Sequence, residues 1–267
     1  MRITRGNRAA LLIYSILFFC LILYNEFFEY ARMRRSWKLS PGELGMTLEH
    51  PDNVKILFVG DPQIQGIINE PPSLIGMLSR WDSDTYLRRT FQLAIHFFEP
   101  DIVVFLGDLV DEGSIATKQQ YSSYQKRFFD NIFVIPKYLN VKMVLLAGDN
   151  DIGGEGSDKM TYELARRFEE NFDSLSEVVP YKNVDVLKFN LVPWMRPTDL
   201  VDEEIFRKEL DEDIEDLILK SDNKFRVLIT HNSLGGVKES RRAELLYRLK
   251  PHFVFTAHSH RVSIQLV

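Results

Sequence analysis

Of the 267 residues only one is a cysteine, Cys20, so no disulfide can form within the chain, whatever compartment it occupies. The chain also lacks a basic excess: its formal net charge of -5 gives no reason to expect a nucleic-acid partner. No internal repeat or low-complexity tract interrupts it. Hydrophobic residues at 45% and charged ones at 27% are ordinary for a folded protein, which removes disorder as the default. Long apolar runs are scarce too. A single one, "AALLIYSILFFCLILY" at residues 9–24, is free of charge throughout.

That run is short for a membrane span, but Tyr24, Phe27, Phe28 and Tyr30 can extend it as an interfacial aromatic belt. Arg2, Arg5 and Arg8 would also suit the basic end of a signal peptide, yet "NEFFEYARM" offers no convincing small-residue cleavage site. An uncleaved anchor over residues 9–28 is the expectation, with a cleaved signal and a buried core helix as alternatives. Charge alone leaves the orientation open, because Arg32, Arg34, Arg35 and Lys38 balance the basic residues before the run. Residues 29–52, with Ser40-Pro41-Gly42 and Pro51, read as a tether, and residues 53–267 as the folded domain.

Within the domain five short apolar runs read as strands: "VKILFVGD", "DIVVFLGD", "VKMVLLAGD", "FRVLITH" and "HFVFTAH". Helical patterns lie between them. One places Leu87, Phe91, Ala94, Ile95 and Phe98 on a single face; another spaces Tyr162, Ala165, Phe168 and Phe172 similarly. An acidic stretch at 201–224 keeps a helical stripe of Ile205, Leu210, Ile214, Leu217 and Ile218 and reads as a solvated helix with one buried face. Strands apolar on both faces need cover on both, which predicts a layered α/β fold of the α-β-β-α kind.

Each of the five runs ends in a potential metal ligand: Asp61, Asp108, Asp149, His231 and His258, with His260 two positions further on. Functional groups gather at the carboxyl ends of strands, where loops converge. One such ending would be a turn residue; five in order point to one site. Three carboxylates brought together need compensating positive charge. Mixed oxygen and imidazole ligation suits Mn, Fe or Zn better than Ca. Six candidates exceed the needs of one ion, so two ions sharing a carboxylate are expected, roughly 3.5–4 Å apart as in two-metal phosphoryl-transfer sites. Asp111 and Glu112 are candidates for orienting the ligands. Trp81 admits either a site-lining or a packing role.

Read as blocks, "GDPQ", "GDLVDEG", "GDND", "ITHN" and "AHSH" resemble, in order, the motifs of the calcineurin-like metallophosphoesterases. The resemblance runs from about Lys55 to His260 and implies a four-layer α-β-β-α sandwich preceded here by a transmembrane helix. The stretches "RTFQLAIHFFEPDIVVFLGDLVDEG" and "LAGDNDIGGEGSDKMTYELARRFEENF" look like the metallophosphoesterase 1 branch of that family. That branch implies a membrane-anchored, manganese-dependent phosphodiesterase of the ER and Golgi. Such enzymes remove ethanolamine phosphate from the glycan of GPI-anchored proteins and so support their transport. It also implies that residues 1–8 are cytosolic, with the linker and catalytic domain lumenal. Branch members continue past the last motif into a further segment and second span, so a short isoform, a fragment or a form without that second anchor is expected here.

By the same resemblance Asp61, Asp108 and His260 would hold the first metal. Asp108, Asp149, His231 and His258 would hold the second, with Asp108 bridging. Three departures stand out. Gln63 occupies a frequent histidine position, and Asp149 replaces an asparagine ligand. Asn150 replaces the histidine that steadies the transition state or protonates the leaving group; an amide can donate a hydrogen bond but cannot act as a general acid. Alternatives to the glycan phosphodiesterase are a degenerate, non-catalytic binder of metal or GPI-linked cargo, and a metallophosphatase for another phosphate ester.

Overall fold

The computed structural model describes residues 5–37, 52–69, 73–154, 158–192, 203–222, 225–260 and 263–266. Two units are distinct, Met1–His50 and Pro51–Val267. In the first, helix α1 (Arg5–Leu23) passes through a π-turn at Tyr24–Phe28 into α2 (Glu29–Ser36). Its stretch Ala10–Ser36 is long and apolar enough to cross a membrane, and none of the side chains in its apolar window is buried. Leu11, Leu12, Phe18 and Phe19 are all exposed, the opposite of a soluble core helix. The tether residues 38–51 lie outside the described residues.

In the second unit, β1 (Ile56–Val59), β2 (Ile102–Phe105) and β3 (Lys142–Leu145) form a parallel sheet in that order. The connections follow the βαβ rule: α3 (Leu74–Phe98) returns β1 to β2, and α4 (Lys118–Lys126), with a π-turn at Arg127–Ile132, returns β2 to β3. After β3 come the one-turn helix α5 (Asp149–Ile152) and α6 (Tyr162–Asn171). A second sheet then forms from β4 (Glu177–Tyr181), β5 (Val184–Lys188), β6 (Phe225–Ile229), β7 (Phe253–Thr256) and β8 (Ser263–Leu266). Its three central strands are parallel and its two edge strands antiparallel. Helices α7 (Glu203–Lys220) and α8 (Glu239–Leu249) flank β6 in the chain.

Strand alternation sorts the side chains into layers. Ile102, Val104 and Leu106 meet Val186, Val227 and Ile229 between the sheets, where Phe58 stacks on Phe255 at 3.9 Å between ring centroids. The alternate residues Val103 and Phe105 join Phe91, Phe128, Phe133 and Phe168 in the outer core, as do Leu228 and Val254 with Ile214, Leu217 and Leu249. This is the α-β-β-α sandwich. On α3 Thr85, Phe91 and Ile95 are buried, while Leu87 packs half-buried against the core. Ile214 and Leu217 are buried and Ile218 packs against them; the side chains of Ile205 and Leu210 lie outside those described.

Lys188 is fully buried between the sheets. Its Nζ donates to the Leu145 carbonyl at 3.3 Å and pairs with Asp173 at 2.9 Å and Glu177 at 3.0 Å. Three oxygen partners make the buried ammonium tolerable.

Candidate metal centre

Asp61 and Asp108 stand just past the ends of β1 and β2, and Asp149 opens α5 just past β3. His231 and His258 follow β6 and β7 of the other sheet. The two sheets thus deliver ligand-type side chains to one edge of the sandwich. Among the described residues, Asp108, Asp149, His231 and His258 bring one ligand atom each to within 4.8 Å of one another.

His231 Nε2 lies 2.9 Å from Asp149 Oδ1 and 3.4 Å from Asp108 Oδ1. Its other nitrogen, Nδ1, is 2.7 Å from the Leu106 carbonyl oxygen, which requires Nδ1 to carry a proton and aims Nε2 at the carboxylates. His258 Nδ1 is 2.9 Å from the same Asp149 oxygen. Asp61 sits at the border of the cluster: its Oδ1 accepts the His258 backbone N–H at 3.0 Å and lies 3.8 Å from His231 Nδ1. His260 is exposed and stands outside the four.

The backbone there is unusual. Asp61, Gln63, Asp108, His258 and His260 all have φ between 39° and 63°, the left-handed region that side chains avoid. Outside this group, the described non-glycine residues with positive φ are Glu99 and Lys250 at helix ends and Lys182 in the β4–β5 turn. Strain concentrated this way marks a site whose geometry is imposed by its surroundings. Gly107, at φ 95°, leaves no room for a side chain: a Cβ would stand 2.5 Å from His231 Nδ1.

Gln63 Nε2 and Asn150 Nδ2 each donate to Asp108 Oδ2 at 3.2 Å, and the Asn150 backbone N–H donates to Asp108 Oδ1 at 3.0 Å. The two amides therefore steady Asp108. Behind them Asp151, wholly buried, accepts the backbone N–H groups of Leu109, Val110 and Gly148 at 3.1, 3.0 and 2.8 Å, tying the β2 and β3 turns together. Glu112 does not orient ligands as expected from sequence. Its buried carboxylate accepts from Ile68 N–H, Asn69 N–H and the Tyr124 hydroxyl, so it holds the loop after β1. Sequence reasoning passed over Arg127, which donates to the Gln65 carbonyl of that loop and pairs with Asp84 at 3.1 Å. Nothing in the local pattern of "SSYQKRFF" distinguishes such a role.

Charge balance shows what the pocket wants. Burial pushes Asp108 above the usual carboxylate range, against the charge of His231. Burial raises Asp149 too, but the His231 hydrogen bond and the charges of both histidines outweigh it and hold Asp149 low. Burial would lower His231; the Asp149 hydrogen bond and the charge of Asp108 overcome it and hold the ring at about 9. A protonated imidazole thus does here what a cation would do. Asp149 Oδ2 remains buried with no hydrogen-bond partner, an orphaned acceptor that a divalent ion would satisfy. The donor set, the aimed Nε2 and this free oxygen fit a metal.

The calcineurin-like phosphoesterase family model matches residues 54–262, and the chain belongs to that family. Within it the chain is similar to metallophosphoesterase 1 of Danio rerio, at 30% identity over 60% of this chain and 38% of the relative. It is likewise similar to metallophosphoesterase 1 of Cricetulus griseus, at 27% over 72% and 48%, and to the metallophosphoesterase 1 homolog of Drosophila melanogaster, at 31% over 39% and 28%. The chain spans less than half the length of these relatives.

Proposed function

We propose that this protein is a membrane-anchored phosphodiesterase using two divalent ions, Mn2+ ahead of Fe or Zn, that would share Asp108. Asp149, His231 and His258 would complete one ion's shell, and Asp61 with His260 the other's. When bound, the ions supply the Lewis acidity and water activation that phosphoester hydrolysis requires. This chain's own residues do the rest. The Leu106 carbonyl keeps His231 in the ligating tautomer, and Gln63 and Asn150 hold the shared carboxylate in place. Asn150, standing where the resemblance puts a catalytic histidine, is a hydrogen-bond donor to developing charge and not a proton source.

The observation that carries this reading is the convergence of four ligand-type side chains from two sheets, with a buried carboxylate oxygen left unpartnered. The substrate follows from the branch resemblance and the N-terminal apolar helix. It is an ethanolamine-phosphate diester on the glycan of GPI-anchored proteins, met in the ER and Golgi with the catalytic domain lumenal. The test is Mn2+-dependent hydrolysis of an aryl phosphodiester by the purified chain, followed by processing of the GPI glycan in cells lacking the protein. Asp108→Asn is expected to reduce turnover by about a thousandfold or more, the scale of losing a charge-stabilising group. Activity indifferent to that change sinks the assignment. Activity on a monoester with an unaltered GPI glycan would redirect it to another phosphate ester.

A second reading rests on the two amides: with Gln63 and Asn150 both occupied by Asp108, the site could bind metal or GPI-linked cargo without turnover. Metal bound stoichiometrically with no hydrolysis would establish it.

A further inference from the structure

The first two turns of α3 are amphipathic the wrong way round. Leu74, Met77, Leu78 and Trp81 recur at the spacing of one helix face and are 79, 56, 63 and 61% exposed, while Gly76 between them is buried. Ile75, 80% exposed, widens the stripe. Ile67 and Ile68 are exposed on the loop after β1, which meets α3 where the Ser79 hydroxyl donates to Gln65 Oε1 at 3.3 Å. Further along, Phe91 and Ile95 of the same helix are buried in the ordinary way. A contiguous exposed apolar face of this kind marks a contact surface.

Two observations identify the contact. Trp37–Lys55, the stretch between the apolar N-terminal helix and β1, is short. Even fully extended it reaches about 65 Å, so a bilayer holding that helix stays within reach of the domain at all times. The patch itself has interfacial composition: Leu, Ile and Met beside a tryptophan, the side chain that settles at headgroup level.

We propose that the Leu74–Trp81 face of α3, together with Ile67 and Ile68, is a bilayer-docking surface that lies in the interface of the membrane entered by the N-terminal helix. The loop running from Asp61 and Gln63 to Ile68 links it to the metal centre. Its middle is pinned by Arg127 and Ser79 on Gln65, and its far end by Glu112. Docking would therefore bring the loop that begins at Asp61 close to the lipid surface, where a phosphoester on a lipid-linked molecule would lie. That consequence rests on the function proposed above; the docking does not.

The test uses the full chain carrying Cys20→Ser and Leu78→Cys, labelled with bimane and reconstituted into phosphatidylcholine vesicles containing doxyl lipid. A face buried about 5–10 Å into the headgroup–acyl boundary should show blue-shifted emission quenched about twofold by the doxyl group. The same label at Tyr247→Cys, on the exposed side of α8, should show neither effect. Leu74→Glu with Trp81→Glu should abolish the quenching of a Met77→Cys label while sparing hydrolysis of a soluble aryl phosphodiester. Equal behaviour at positions 78 and 247 overturns the proposal. So does a blue shift at 78 without lipid quenching, which would mean a protein partner or a second copy covers the face. Intact quenching with no hydrolysis would count against the proposed enzyme and leave the docking standing.

Discussion

Asp151 is a carboxylate with no view of solvent, and three backbone N–H groups converge on it. An asparagine there would offer one oxygen to three donors and turn its own NH2 toward them. Asp151→Asn is expected to cost about 3 kcal/mol, the scale of leaving buried donors unpaired, measurable by urea unfolding. Burial and the charge of Asp108 push Asp151 up to about 7 despite those donors, so its proton is held more tightly folded than unfolded. His231 is held at about 9 against an ordinary 6.5. Its stabilising contribution is complete below pH 6.5 and is lost as pH rises through 9. Both groups give the same sign, and the metal-free protein should melt at progressively lower temperature as pH rises from about 4 to about 9. His231→Gln should flatten the upper part of that slope. Because ligation needs the neutral ring, metal uptake at pH 7 should release a proton, read by calorimetry in buffers of different ionisation enthalpy.

At the scale of elements, the site is a set of strand-to-helix turns pressed against each other. Gly148 lies where a Cβ would collide with the Asp108 carboxylate and with its backbone nitrogen, neither of which can retreat. Gly148→Ala should weaken metal binding about tenfold or more, the scale of disturbing a ligand's support, as seen by competition with a chromogenic chelator. The turns themselves were legible in sequence, since a short apolar run ending in Gly-Asp is a strand running into a tight turn. Their left-handed φ values at Asp61, Asp108 and His258 were not. Local pattern favours the opposite conformation there, and only packing between neighbouring turns enforces it. Glu112 illustrates the same limit: adjacency to Asp108 suggested a ligand-orienting role, but the turn points it at the Ile68–Asn69 loop.

At the scale of the whole molecule, Asp61, Asp108 and Asp149 come from one sheet and His231 and His258 from the other. A bound ion would therefore fasten the two halves of the sandwich, beside the apolar seam of Phe58 on Phe255 and the buried Lys188. Metal at a hundred times its dissociation constant should stabilise the fold by about 2.7 kcal/mol. Chelation should then lower the melting temperature by about 5–10 °C, read by scanning calorimetry. A melting curve indifferent to chelator would mean that the sheets do not share an ion.

The sequence by itself determined the five strands that carry the candidate ligands and the ligand types that close them, because a short apolar run ending in an acid or histidine is visible locally; β4, β5 and β8 carry no such ending and were not read from it. It determined the apolar N-terminal helix for the same reason: composition alone dictates what solvent that stretch prefers. Only the tertiary structure decided which ligands meet, because sheet-to-sheet packing brings His231 within 2.9 Å of Asp149 across 82 positions of chain. It also decided that Gln63 and Asn150 point their amides at Asp108 and that α3 opens with its apolar face outward. These outcomes depend on which surfaces pack against one another, and a linear pattern carries no record of that.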